Sequence, residues 1–236
     1  MTRENTFRFK QFAVLNDKTA MKVGTDGVLL GAWCDVREAK SVLDVGTGCG
    51  LIALMIAQRN ADCDIDCIDI DEGAINEAKI NAENSPWSDR IHPFMADFKH
   101  FNTNNKYDLI VSNPPFFNNG VLAPDKSRQN ARHTVELSFE QLVCNAIALL
   151  SDNGKLCLIS PTDAEDEIIK SCAEVGAFVN QKVVIYTKPG KEPKRCLWEI
   201  SKHNSDNRCS ELFVQNSDGQ YSDQYIGLCK DFYMNM

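Results

Sequence analysis

Few folds accommodate the run Ser41-Val42-Leu43-Asp44-Val45-Gly46-Thr47-Gly48-Cys49-Gly50, in which a β-branched apolar stretch breaks into three alternating glycines. A helical apolar pattern follows, from Leu51 to about Gln58. A short buried strand, a tight turn and a helix, in that order, is the opening unit of a parallel α/β sheet. The glycines allow a sharp turn and let a ligand lie close to the main chain. Their spacing, Asp44-x-Gly46-x-Gly48-x-Gly50, is tighter than the dinucleotide fingerprint G-x-G-x-x-G and carries an acid just before it. Cys49 reads as a small residue that fits the loop.

That acid selects the ligand. A pyrophosphate is repelled by a carboxylate, whereas S-adenosylmethionine brings an ammonium and a sulfonium. Nineteen residues after Gly50 a second apolar strand ends in Asp69-Ile70-Asp71, near the offset of about 20 residues at which an acid binds ribose hydroxyls. Asp69 is therefore the expected ribose ligand. A third strand, Ile91 to Met95, ends at Asp97-Phe98, where the acid can accept from an adenine amino group and Phe98 can border the ring. Each of the last two, taken singly, also reads as an ordinary loop acid and a core aromatic.

A fourth apolar run, Tyr107 to Ser112, leads into Asn113-Pro114-Pro115-Phe116. An amine conjugated to a ring or a carbonyl is a poor nucleophile, because its lone pair is delocalised. Two acceptors aimed at its N–H bonds favour the pyramidal form, and the Asn113 side-chain carbonyl and the Pro114 backbone carbonyl are such a pair. Successive prolines restrict φ and push their preceding residues towards extended backbone, so the acceptors are aimed in advance. Phe116 offers a flat face for stacking. A strand followed by a proline-rich turn is the plainer reading of the same tetrapeptide.

Glycine loop, acid, acid-aromatic and Asn-Pro-Pro-Phe, each at the end of a successive strand, resemble the class I S-adenosylmethionine-dependent methyltransferases of the amino-methylating branch. Flanking segments narrow the resemblance: Phe9-Lys10-Gln11-Phe12, Met21 to Gly27 including Thr25, Leu29 to Trp33, Ser85-Pro86-Trp87, Ala131-Arg132-His133-Thr134 and the Tyr221 to Tyr233 tail. Over nearly the whole chain these are similar to the bacterial tRNA1(Val) adenine N6-methyltransferases, which modify adenosine 37, just 3′ of the anticodon. The resemblance implies catalysis by Asn113, Pro114, Pro115 and Phe116. It implies an S-adenosylmethionine site of Thr25, Asp44, Gly46, Gly48, Gly50, Asp69, Asp97 and Phe98, and a tRNA partner. It also implies an α/β, doubly wound, seven-stranded Rossmann-like sheet ordered 3-2-1-4-5-7-6, with strand seven antiparallel. Two alternatives remain beside it: a glutamine N5-methyltransferase, which usually carries a separate N-terminal helical domain, and a catalytically silent cofactor-binding subunit, which tends to lose the tetrapeptide.

Alternation gives the rest of the architecture. Helices are expected at about Asp26 to Cys34, with Asp26 as N-cap, and at Gly73 to Asn84, Phe139 to Leu150 and Ala164 to Val175. Gly154 to Ser160 reads as the fifth strand, and Val179 to Tyr186 with Arg195 to Ser201 as an antiparallel pair around Lys188-Pro189-Gly190. Leu212 to Val214 reads as a short strand and Asp223 to about Tyr233 as a helix. One methyltransferase domain over 1–236 is expected, with an N-terminal arm (1–40) and a C-terminal extension (203–236).

No signal-peptide pattern or membrane-length apolar run is present, and the ten cysteines are dispersed with no C-x-x-C. A cytoplasmic monomer with free buried thiols and no metal is expected. The net charge of −8 argues against a general nucleic-acid binder. Charge is uneven, however: Met1 to Lys22 holds five cations against two acids, Gln181 to Lys202 six against two, and Asp62 to Glu72 six acids and no base. If the basic segments share the ligand face, they hold tRNA phosphates there with the acidic run behind; solvated loops are the plainer reading of any single lysine. Lys191 and Arg195 are the phosphate contacts expected from the second segment. Phe117 to Thr134 reads as a substrate loop whose Arg132 and His133 touch phosphate or base, although His133 also reads as a surface histidine.

Overall fold

The computed structural model describes residues 6–17, 19, 22–115, 137–205 and 207–236. In chain order, a hairpin of β1 (Thr6–Arg8) and β2 (Ala13–Leu15) leads to α1 (Thr25–Trp33). Then come β3 (Ser41–Val45), α2 (Leu51–Arg59), β4 (Asp64–Asp69), α3 (Glu72–Glu83), β5 (Ile91–Met95) and β6 (Tyr107–Ser112). After the undescribed 116–136 follow α4 (Phe139–Leu149), β7 (Leu150–Pro161), α5 (Glu165–Glu174), β8 (Phe178–Tyr186), β9 (Arg195–Ser201), β10 (Arg208–Phe213) and α6 (Asp223–Cys229).

One sheet carries strands in the order β10-β8-β9-β7-β6-β3-β4-β5. From β5 to β7 the neighbours pair in parallel, while β9 is antiparallel to both β7 and β8. Both faces are covered, as parallel sheets require. Along β3 and β6, Val42, Leu109 and Val111 enter one core with α1 and α2, while Leu43, Val45 and Ile110 enter another with α4 and α5. That two-sided burial explains why these strands read as unbroken apolar runs.

Among the described residues the sheet holds eight strands where seven were expected, because the short strand expected at Leu212 to Val214 runs from Arg208 to Phe213 and joins it. β10 adds in parallel to β8, with Arg208 opposite Gln181 and Phe213 opposite Tyr186. Its first four residues are exposed, so no alternation marked them, but pairing there satisfies a row of β8 main-chain groups that an edge leaves open. Asp26 is not the cap of α1. Gly24 holds that position without a side-chain bond, and Asp26 lies in the first turn. Gly31 lets α1 settle on α2, because a Cβ there would lie 2.8 Å from the Met55 sulfur.

The arm and the extension meet. Phe9 bridges Tyr233, the Lys10 amide donates to the Phe232 carbonyl at 2.8 Å, and the Phe9 and Tyr233 rings lie 5.7 Å apart.

Candidate active site

Parallel pairing brings the ends of β3, β4, β5 and β6 to one edge: Val45 pairs with Ile68 and Ser112, and Asp69 with Met95. The chain leaves β3 towards β4 on one side and β6 on the other, so this is the point where the strand order reverses and a crevice opens.

The glycine loop forms the floor. Gly46, Gly48 and Gly50 have φ of 69°, 56° and 81°, a region that residues with a Cβ rarely enter. The Gly46 and Thr47 amides both donate to the Ile68 carbonyl, at 2.9 and 3.0 Å. A Cβ built on Gly46 or Gly48 meets nothing within 4 Å, so the loop faces open space, whereas Gly50 rests on Ala78.

Asp44, fully buried at the end of β3, accepts from the Thr47 hydroxyl at 2.7 Å through Oδ2. Its Oδ1 is buried without a partner among the described residues. Burial pushes this carboxyl up to about 7, against the opposing bonds from Thr47 and the Ala53 amide, and the neighbouring Asp69 charge adds to the rise. Asp69 accepts the Gly48 amide on one oxygen and the Asp71 amide on the other, both at 3.0 Å. It therefore fixes the loop while keeping further lone pairs for a ligand. Asp97, exposed, accepts the Lys99 amide at 2.9 Å.

Phe98, expected to border the adenine ring or to read as a core aromatic, is buried. Its ring is 3% exposed, belongs to the second core and stacks near Phe101, so the strand end is held by this aromatic from beneath. Two exposed apolar side chains stand at the same strand ends, Ile70 after β4 and Met95 closing β5, 51% and 64% exposed. The signal for Ile70 was an apolar residue set between two loop acids.

On the other side of β3, Asn113 follows β6. Its Oδ1 is also buried and without a partner among the described residues. Pro114 is buried and Pro115 exposed. Gly27, in the first turns of α1, stands against Asn113, since a Cβ there would lie 3.7 Å from Nδ2. Thr25 opens that helix and is exposed. Phe116, Arg132 and His133 lie outside the described residues.

Arg195 begins β9 opposite Pro161, the end of β7, so the β8–β9 turn lies on the same edge as Asn113. Arg195 Nε donates to Asp26 at 2.8 Å, which ties this turn to α1. Lys191 is exposed at its tip. The acidic run does not lie wholly behind: Asp62 and Asp64 flank the start of β4 on the far edge, but Asp69 and Asp71 reach the crevice, because the run follows one strand from end to end.

A family model, "Methyltransferase small domain", matches residues 21–180. A tRNA1(Val) (adenine(37)-N6)-methyltransferase of Phocaeicola vulgatus is 44% identical over 98% of both chains. Its counterpart in Aeromonas hydrophila is 42% identical over the full length of both. The chain belongs to the tRNA1(Val) (adenine(37)-N6)-methyltransferase family. A solved predicted O-methyltransferase of Agrobacterium tumefaciens, 19% identical, shares the fold with a TM-score of 0.69 over 90% of this chain and all of its own.

In this family member a buried latch supports the site, and its residues were not singled out from the sequence. Glu77 and Asn81, one turn apart on α3, are each 2% exposed. Glu77 accepts the Asp17 and Thr19 amides at 2.6 and 3.0 Å. Asn81 accepts the Leu15 amide at 2.7 Å and donates to the Leu15 and Cys49 carbonyls at 2.9 and 2.8 Å. Cys49 sits between two of the loop glycines, so the arm, α3 and the glycine loop are fastened together. The available signal was periodicity: Glu77 and Asn81 share a helix face with Ala74 and Ala78, all of them buried.

Proposed function

We propose that this methyltransferase moves the methyl group of S-adenosylmethionine onto N6 of adenosine 37 of tRNA1(Val). The observation that carries the reading is the Asn113 Oδ1, a buried acceptor without a partner among the described residues, one strand away from a glycine loop whose own acid also holds an unpartnered oxygen.

The residues fit the cofactor. Asp44 and the open Gly46–Gly48 loop suit its cationic methionyl end, Asp69 the ribose hydroxyls, and Ile70, Met95 and Asp97 the adenine. When bound, S-adenosylmethionine supplies a methyl group on a sulfonium that departs as a neutral thioether. Asn113 Oδ1 and the Pro114 carbonyl accept the two N6 hydrogens and draw the nitrogen towards the pyramidal form, in which its lone pair is free to attack. Because the acceptors are in place before the base arrives, no reorganisation is needed at the moment of reaction. Once the N–C bond forms, the nitrogen is cationic and its N–H acidic, so the proton leaves from Asn113 Oδ1 to water without a dedicated base.

The same reading treats the chain as one domain, cytoplasmic and monomeric, whose arm and extension close on each other beside the sheet. No helix among the described residues is long and apolar enough to cross a membrane. The decisive experiment is nucleoside analysis of tRNA1(Val) from cells with and without the gene. N6-methyladenosine at position 37 should vanish in its absence and return with the wild-type gene. Labelled methyl appearing in protein and not in tRNA would replace this reading with the glutamine one.

A further inference from the structure

The crevice edge carries a second hollow, away from the glycine loop. A cavity of about 430 Å³ lies between the β8–β9 turn and β10, lined among others by Tyr186, Phe213, Pro193, Lys191, Glu192 and Glu211. Its aromatic wall is a pair held in register: Tyr186 lies opposite Phe213 across parallel strands, with ring centroids 4.9 Å apart and planes 20° from parallel. The Tyr186 hydroxyl donates to Glu211 at 3.2 Å, which holds one carboxylate at the rim. Glu192, also in the lining, is exposed, and Lys191 stands on the turn between Lys188 and Lys194.

This combination selects among ligands. Two carboxylates repel a bare phosphate, yet they are acceptors for the exocyclic amino group of a base. A flat aromatic wall suits a planar ring, and the flanking lysines suit the phosphates on either side of it. The hollow also continues the surface around the reacting base. The turn that forms it is tied through Arg195 to Asp26 at 2.8 Å, one residue from the glycine that stands against Asn113. From β6 to β8 and β10 is three to four strand spacings in the sheet order, about 14–19 Å at roughly 4.8 Å each, a distance that a few nucleotides of single-stranded RNA span.

We infer that this hollow receives an unstacked base of the anticodon loop, a few nucleotides from the target adenosine, and prefers one with an exocyclic amino group. The inference rests on the tRNA reading above. It assigns the turn a part in choosing the RNA as well as in holding its backbone.

The test uses the full chain and the anticodon stem-loop of tRNA1(Val), with each loop position other than 37 made abasic in turn. Affinity by fluorescence anisotropy and methylation rate are measured for the wild type, Phe213→Ala and Glu192→Gln. One abasic position should cost the wild type roughly tenfold in affinity. Phe213→Ala should lose about that factor on the intact RNA and nothing further at that position. Glu192→Gln, a change on an exposed side chain, should alter the preference among bases there and leave other positions alone. Equal losses at every position in the wild type and Phe213→Ala, or unchanged base preference in Glu192→Gln, overturn the inference. A wild type that methylates the intact RNA while showing either result sinks the hollow alone, whereas one that neither binds nor methylates it removes the tRNA reading as well.

Discussion

Asn113 Oδ1 is buried without a partner among the described residues; leaving a buried carbonyl oxygen so costs about 1–3 kcal/mol, and folding alone has no use for that expense. Asn113→Ala removes it. The variant should therefore unfold no more easily than the wild type and bind S-adenosylmethionine with near-normal affinity, while its single-turnover methylation falls at least roughly a hundredfold. A rate within a few-fold of wild type would rule out the acceptor pair. Asp44 gives a prediction with a definite pH window. Its folded-state value of about 7 lies above the ordinary carboxylate value of 3.8. The folded protein therefore holds the proton more tightly than the unfolded chain between these limits, and Asp44 withdraws stability as pH rises through them. A cationic ligand favours the ionised form, so cofactor affinity should rise with pH up to about 7 and then level off. Calorimetry across this range should show the slope in the wild type and lose it in Asp44→Asn. At this scale the sequence was most readable where geometry allows few residue types. Gly46 and Gly48 have left-handed backbone that marks them as loop glycines, and acids at strand ends are informative by position. Phe98 was not readable in this way, because an aromatic beside a loop acid looks alike whether its ring faces a ligand or the core.

Among the elements, α3 has two tasks that its polar composition hides. Its outer residues meet solvent, while Glu77 and Asn81 turn inward and take the hydrogen bonds of an arm that would otherwise end in a buried coil. Asn81→Ala leaves the Leu15 amide and the Leu15 and Cys49 carbonyls without this partner. At about 1 kcal/mol for each bond, a loss near 3 kcal/mol in denaturant unfolding is expected. Amide exchange from Leu15 to Thr19 should quicken, and cofactor affinity should fall with it, because the glycine loop loses its hold at Cys49. Unchanged exchange across the arm would show that the latch does not restrain it. Helix boundaries came out of the sequence within a residue or two except in α6, expected to run to about Tyr233 but ending at Cys229, and period does not say which polar residues face inward. β10 was read only at its end, as Leu212 to Val214, for a related reason: an exposed edge strand needs no alternation, and only Leu212 is buried in it.

For the molecule as a whole, charge placement matters more than the net value of −8. Lys188, Lys191 and Lys194 project from a turn on the crevice edge, whereas Arg195 already shares its charge with Asp26. Replacing the three lysines by alanine should reduce the slope of log affinity for tRNA against log salt by about 2, at roughly 0.7–0.9 for each phosphate that is no longer neutralised. An unchanged slope would place the RNA elsewhere. Phe213→Ala should leave that slope alone, which separates the attraction of the backbone from the hold on a base.

The bridge between Phe9 and Tyr233 also sets an order of assembly. Phe9 and Phe12 leave the ribosome before any strand of the large sheet and are 4% and 6% exposed in the folded protein. The partners that cover this segment, Phe232 and Tyr233, are made only after the last strand of that sheet. Contacts that span nearly the whole chain form late, because the loop they close is the longest available. During synthesis the arm therefore waits uncovered while the sheet grows behind it. A chain interrupted between β10 and Phe232 therefore keeps the described strands of the sheet and leaves Phe9 without the Tyr233 ring beside it.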